Sequence, residues 1–344
     1  MVRFPAGFVL IFFVLQLCSG MVFAASEHYR AQGRSDYQEA VTAVKSGGWK
    51  DFQKIRSGLD SYPLAIYLDY YKLSENVRNV RPVEVQRFVS ATQDSPLPNR
   101  YLAVYLNQAG RDRRWQDFLA VMPDEPNAIE LKCYYFRAKL GLGDALAAWE
   151  GAEKLWVHGE SRPKQCDPLF SAWLKADQLS DDLIWARMLK AFDARQRSLL
   201  QYIARKSSSE LQPWSDKLLA VYAQPDRIKR QNLPASDPYS ADIATHGLAY
   251  LARYSPERAL EYWQYYLGAL TFTQPQTEQV EYAIALQSLF AKTKKNILWL
   301  DQSLGRIADD KLTGLRLRWQ LGKQDWGGMA KTLPHLSQLK SEEA

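Results

Sequence analysis

Apolar residues recur along most of the chain at steps of three and four, the period of a helix with one buried face. In the run from Glu257 to Leu270, the positions Leu260, Trp263, Leu267 and Leu270 form one stripe. Ser255-Pro256-Glu257 precedes it as a start signal. Ser can cap, Pro has a helical φ already, and an acid faces the unpaired N–H groups of the first turn. Ser180-Asp181-Asp182 opens a second helix, with Leu179, Leu183 and Ala186 in register and Lys190 near its end. Asp51 to Leu59 and Trp115 to Val121 repeat the pattern on a smaller scale. Breakers punctuate the chain at Gly47-Gly48, Pro63, Pro82, Pro96 and Pro98, Pro123 and Pro126, Gly141 and Gly143, Pro163 and Pro168, Pro213, Pro225, Pro234 and Pro238, Pro256 and Pro275. Helices of about ten to fifteen residues fit between them. No stretch alternates apolar and polar residues as a strand would. The pattern predicts an all-α protein.

A weak repeat refines this picture. Trp115, Trp149 and Trp185 are spaced 34 and 36 residues apart, and Trp263 and Trp299 are again 36 apart. That is the helix-pair period of a tetratricopeptide-like array, although no segment matches its consensus. The expected fold is therefore a superhelical solenoid of antiparallel helix pairs that bury each other's apolar faces. Gln224 to Tyr239, the widest irregular stretch, is the expected divide between an N-terminal and a C-terminal arm.

Composition changes the picture at three points. With 47% hydrophobic and 24% charged residues the chain is a folding, not a disordered, sequence. The net charge of +6 includes no block of like charges, so a nucleic-acid partner is not expected. Arg111, Arg113 and Arg114 come nearest to a basic cluster; Asp112 interrupts them, and a solvated helix end is expected there. The 11 Trp and 19 Tyr supply either interhelical packing or flat surfaces for a ligand.

The N-terminus reads as a cleavable export signal, residues 1–24. Arg3 is followed by the apolar run Phe8 to Leu17 and then by Val22-Phe23-Ala24, with cleavage expected after Ala24. The run is too short to span a bilayer, and Leu17 stands where a lipoprotein signal needs a small residue before Cys18. No stable membrane anchor is expected after cleavage. Two cysteines then remain, Cys133 and Cys166. An even count in an exported chain points to a disulfide, and closing that loop stabilises by about 3.5–4 kcal/mol in the chain-entropy model. The zinc alternative needs two more ligands, and only His158 lies between the cysteines.

The search for chemistry returns little. Gly141-Leu142-Gly143 lacks the third glycine and the preceding strand of a phosphate loop, and His28, His158, His246 and His335 stand singly. No Gly-x-Ser-x-Gly elbow occurs. Asp69, within the aromatic run AIYLDYYKL, has the apolar neighbours that a proton-holding carboxyl needs. The plainer expectation is a helix acid facing solvent or paired with Lys72. No metal, cofactor or catalytic residue is expected.

Three stretches carry a family resemblance. LDSYPLAIYLDYYKL (Leu59 to Leu73) and Leu97 to Pro123 resemble the early helices of the soluble lytic murein transglycosylases. Leu131 to Trp173 matches most closely, with its Cys-Tyr-Tyr, its Leu-Trp followed by Gly and Ser-x-Pro, and its Cys-Asp-Pro-Leu-Phe. Asp181 to Met188 continues the likeness, and Leu315 to Trp326 looks like a later helix pair. The resemblance implies the family's U-shaped superhelical domain. Cleavage of the muramic acid–glucosamine bond to a 1,6-anhydro end belongs in that family to a lysozyme-like domain. That domain carries a Glu-Ser-x-x-x-Pro and a Gly-Leu-Met-Gln segment. Neither occurs here, and the Glu-Ser pair at Glu160-Ser161 falls in the loop before Cys166.

The expectation is thus a signal peptide (1–24) and a superhelical domain (25–344) shortened at its C-terminal end. It is expected in the periplasm, without transglycosylase activity of its own. Its expected partners are peptidoglycan glycan strands or cell-wall proteins, through residues the sequence does not identify. The alternative is a stand-alone helical-repeat scaffold. The tail keeps Leu333, Leu336 and Leu339 in a stripe that calls for a partner, which favours the shortened arm.

Overall fold

The computed structural model describes residues 31–337, so the expected signal peptide, Cys18, His28 and Leu339 lie outside the described residues. Among the described residues the regular structure is helical throughout. Residues 31–45 form α1. There follow α2 (Trp49–Arg56), α3 (Ala65–Glu75), α4 (Pro82–Ala91), α5 (Leu97–Arg111), α6 (Trp115–Val121) and α7 (Ile129–Gly141). Next come α8 (Ala145–Trp156), α9 (Asp167–Lys175), α10 (Asp181–Asp193), α11 (Arg197–Ala204) and α12 (Gln212–Ala223). The series ends with α13 (Pro238–Ala252), α14 (Pro256–Ala269), α15 (Gln274–Ala291), α16 (Ile297–Ile307), α17 (Asp310–Leu321) and α18 (Trp326–Thr332). None of these helices is long and apolar enough to cross a membrane. The described residues divide into two compact units, residues 31–151 with 163–169, and residues 152–162 with 170–337.

In the middle of each unit a helix packs on the next one and on the next but one. In the first unit α5 contacts α4, α6, α3 and α7; in the second α15 contacts α14, α16, α13 and α17. That is the contact pattern of stacked helical hairpins. The expected Trp period has the same origin. Trp115, Trp149 and Trp185 fall on α6, α8 and α10, and Trp263 and Trp299 on α14 and α16, each two helices after the last.

The hairpins share a tight turn. After α1 the chain passes through Gly47 at φ 74°, and the Gly48 N–H donates to Ala43 O at 2.8 Å. The same left-handed residue and six-residue bond recur at Arg113 (Arg114 N to Ala109 O, 2.9 Å) and Gly143 (Asp144 N to Lys139 O, 2.9 Å). They recur again at Arg195 (Gln196 N to Ala191 O, 2.9 Å) and Gln324 (Asp325 N to Gln320 O, 3.0 Å). The bond satisfies carbonyls left open at a helix end. The next helix then starts at once, with Trp49, Trp115 or Trp326 as its first residue in three of these turns.

Helix registers depart from the sequence expectation in detail. On α14, Leu260 and Trp263 are buried, as is Leu270 at its C-terminal cap, but Leu267 is 49% exposed and Tyr266 takes the inward place. On α10 the inward face is Ile184, Trp185, Met188, Ala191 and Phe192, one step round from Leu183 and Ala186. Ser180 caps α10 by accepting from Leu183 N, whereas the Ser255 side chain makes no capping bond. Gln224 to Tyr239 does not separate two arms. Its 3-10 helix Pro225–Arg230 sends Ile228 into the same core as Leu218, Val221, Leu248 and Trp263. Burying that one large side chain holds a Pro-rich stretch inside the second unit.

Candidate functional site

The sequence-expected residues divide sharply. Cys133, on α7, and Cys166, in the 3-10 turn before α9, come together fully buried with Cα atoms 4.7 Å apart. That spacing is within the range a disulfide spans. Among the described residues no three His, Cys, Asp or Glu side chains are grouped to hold a metal ion. Asp69 pairs with neither solvent alone nor Lys72. Its carboxylate accepts a two-pronged pair from Arg56, Nε to Oδ1 at 3.0 Å and Nη2 to Oδ2 at 2.9 Å. Both carboxylate oxygens are thereby committed to one guanidinium. Glu160 lies exposed on its loop, its N–H bonded to His158 Nδ1 at 3.1 Å, with none of the apolar enclosure a catalytic acid needs. Arg114 is no solvated helix end. It is half-buried, donates to Val77 O and Val80 O, and lies over the Tyr105 ring.

The second unit builds a recess that the sequence pattern did not single out. The end of α10 and the turn after it supply Phe192, Asp193 and Arg195, and α13 with its C-terminal cap supplies His246, Ala249, Tyr250 and Arg253. They enclose about 120 Å³. Asp193 Oδ1 and His246 Nδ1 are 2.6 Å apart, and Gln279 Nε2 approaches the same ring nitrogen at 3.4 Å. This fixes the imidazole in place.

Beside the recess, tyrosines form a ladder. Tyr222 from α12 stacks on Tyr250 with ring centroids 5.5 Å apart and planes within 14°. Tyr254 meets Tyr250 edge-on at 5.3 Å, and their hydroxyls bond at 3.0 Å. That shared bond, with burial second, pushes the Tyr250 phenol up to about 12. Burial pushes Tyr222 up as well. Tyr254 itself is 68% exposed and Arg253 is exposed beside it. Ring faces next to guanidinium, carboxylate and imidazole groups suit a ligand with apolar C–H faces and a polar edge. The signal was present at spacing level: His246, Ala249, Tyr250, Arg253 and Tyr254 recur at steps of three and four along α13 and the turn that ends it.

A wider groove of about 820 Å³ lies between α14 and α16, lined by Glu257, Arg258, Glu261, Lys295, Trp299 and Gln302 among others. Three of its four charged residues, all but Lys295, already have partners. Glu257 accepts from the Thr293 hydroxyl, Arg258 faces Asp226 at 3.9 Å, and Glu261 faces Lys229 at 3.6 Å. The tyrosine recess is the better-prepared ligand surface.

Taken with the stacked hairpins, these features define a helical-repeat arm, and comparison with known proteins gives it relatives. The chain is related in sequence and fold to the soluble lytic murein transglycosylases. It is 27% identical over 314 residues to the soluble lytic murein transglycosylase of Salmonella typhimurium, covering 90% of this chain and 48% of that protein. The 70-kDa soluble lytic transglycosylase of Escherichia coli superposes with a TM-score of 0.74 at 25% identity, over 91% of this chain and 51% of that one. An inactive mutant of the lytic transglycosylase Slt of Pseudomonas aeruginosa also gives 0.74, at 27% identity, over 89% and 50%. The chain spans about half the length of the relatives it matches. A family model described as cucumovirus coat protein matches residues 84–231. That span is under half of the chain, begins inside α4 and runs through parts of both units, so it does not define the chain's class.

Proposed function

We propose that this chain is the non-catalytic helical arm of a lytic-transglycosylase-type system, exported to the periplasm by a cleaved signal at residues 1–24. There it holds peptidoglycan glycan strands rather than cutting them. Residues 25–344 act as one superhelical domain, and Cys133 and Cys166 are oxidised to a disulfide in that compartment. The observation that carries the reading is the sequence relationship over 90% of the chain. It is supported by the tyrosine recess, whose half-buried Tyr250, exposed neighbour Tyr254 and flanking Arg195, Arg253 and Asp193 match the two-faced chemistry of an amino sugar. Absence of cleavage is supported by the missing Glu-Ser-x-x-x-Pro segment and by the exposure of Glu160.

The test is to incubate the purified chain with peptidoglycan sacculi, sediment them, and analyse both fractions. The chain is expected in the pellet, with no 1,6-anhydro fragments released above a no-protein control. A chain that stays wholly in the supernatant contradicts the binding; anhydro fragments contradict the lack of catalysis. One observation favours a second reading, a scaffold for cell-wall proteins. Leu321 and Trp326 are 51% and 63% exposed at the hairpin of α17 and α18, an apolar surface of the kind protein partners use. A protein captured in the presence of sacculus-free extract, lost with Trp326→Ala, would favour that reading.

A further inference from the structure

Three charged residues among the described ones are buried to about 5% exposure or less: Arg187, Glu281 and Arg316. Two have partners. Glu281 accepts from Arg306 at 2.8 Å and from Trp263 Nε1 at 3.4 Å, and Arg316 forks onto Asp301 at 2.7 and 2.9 Å. Arg187 has neither ion pair nor hydrogen bond among the described residues. Its guanidinium lies over the Trp156 ring, the central carbon 4.0 Å from the centroid. Its Nε and the Trp156 Nε1 are both sealed from water with no acceptor. The nearby charge is another cation, Arg162, whose Nε is committed to Leu155 O at 2.8 Å. Burial pulls the Arg187 guanidinium down to about 10, and repulsion from Arg162 adds to it. Burial also lowers Arg162.

A cation taken out of water without a counter-charge is costly, and stacking on one indole offsets only part of that cost. We infer that Arg187, with Arg162 beside it, forms a carboxylate-binding site on the second unit, and that the carboxylate is carried by the peptide part of the peptidoglycan strand. The source of the carboxylate rests on the proposed function; the site itself does not. With its face held by Trp156, the guanidinium keeps its Nη edge uncommitted, the edge that grips both oxygens of one carboxylate in a fork. A bound carboxylate supplies to Arg187 what Asp301 supplies to Arg316.

The test is the thermal midpoint of the full chain at constant ionic strength, with sodium glutarate as probe, neutral glutaramide as control and inorganic phosphate as the competing anion. Glutarate is expected to raise the midpoint by about 2 °C or more over chloride, and glutaramide to leave it unchanged. Arg187→Met is expected to abolish the glutarate shift while its own ligand-free midpoint is equal or higher, because the buried charge is gone. Arg187→Lys, which keeps the charge without the fork, is expected to retain only a weakened shift. No shift in the wild type, or an undiminished shift in Arg187→Met, overturns the site. A phosphate shift as large as that of glutarate overturns its assignment to carboxylate. An Arg187-dependent glutarate shift in a chain that does not sediment with sacculi upholds the site and overturns the glycan reading alone.

Discussion

The two units spend their aromatic residues differently. In the first, rings are knobs pressed onto glycines: Tyr134 on Gly110, Trp115 on Gly141, Phe136 on Gly151. A Cβ at Gly110 or Gly151 would come within 2.3 Å of the ring that covers it. Glycine is needed there for close approach, not for its backbone freedom, and the helices around α7 interlock. In the second unit the rings of Tyr222, Tyr250 and Tyr254 form a ladder that ends in solvent, next to His246, Asp193 and Arg253. Residue types that close a core in one place furnish a surface in the other. Composition alone cannot tell these uses apart; the partner opposite each ring decides.

The sharpest way to break this contrast is to loosen the first unit. Reducing the Cys133–Cys166 pair, or replacing both with Ala, is expected to cost about 3.5–4 kcal/mol, read as a lowered urea midpoint. The intact oxidised protein should gain 2 mass units, or about that, on reduction. A thiol count showing both cysteines free in periplasmic material contradicts the proposed pairing. Next in size, Gly110→Ala and Gly151→Ala are each expected to destabilise by about 1–3 kcal/mol, since an aromatic ring must move. Gly268→Ala, on the second unit's α14 with nothing within 4 Å, is expected to stabilise by about 0.5–1 kcal/mol. Equal effects at Gly110 and Gly268 would sink the distinction.

A subtler probe is alkaline titration followed by tyrosinate absorbance. Tyr250 and Tyr266 in the second unit, and Tyr37 in the first, are raised from 10.0 to about 12. Their folded-state phenols hold protons that the unfolded chain gives up. The stability they confer is therefore complete below about pH 10 and falls as pH rises towards 12. Tyr254→Phe removes the leading cause at Tyr250 and is expected to bring one titration step back towards 10, leaving the Tyr266 and Tyr37 steps in place. The smallest expected effect is at a turn. Arg195→Gly relieves a left-handed residue at φ 56° and is expected to stabilise by about 0.5–1 kcal/mol, close to the difference between the cost of that backbone and the entropy of glycine.

Those turns also mark what was legible in the sequence. Gly47 and Gly143 announced themselves as breakers, but the same turn at Arg113, Arg195 and Gln324 carries no glycine, and only the packed hairpins on either side hold it. The Trp spacing was legible because it follows the helix-pair period directly. The register of α14 was legible to within one position: Tyr266 and Leu267 both continue the stripe, and the neighbours on α13 and α15 select the tyrosine. The link of Asp69 to Arg56 and the burial of Ile228 are contacts between elements, invisible to local spacing. The tyrosine recess falls in the same class, because Tyr222, Asp193 and His246 come from three helices. Its helix-local half, from His246 to Tyr254, could have been read from the i, i+4 pairs; nothing local ties it to Asp193.

The most direct test of the central claim is sacculus sedimentation of Tyr254→Ala with Arg253→Ala, two exposed positions, one lining the recess and one on the tyrosine ladder beside it, neither part of the buried core. The double variant is expected to keep the wild-type thermal midpoint and to bind sacculi about tenfold more weakly, a change of about 1.4 kcal/mol. Binding equal to wild type would contradict the claim that the second unit's aromatic surface, rather than some other part of the arm, holds the glycan.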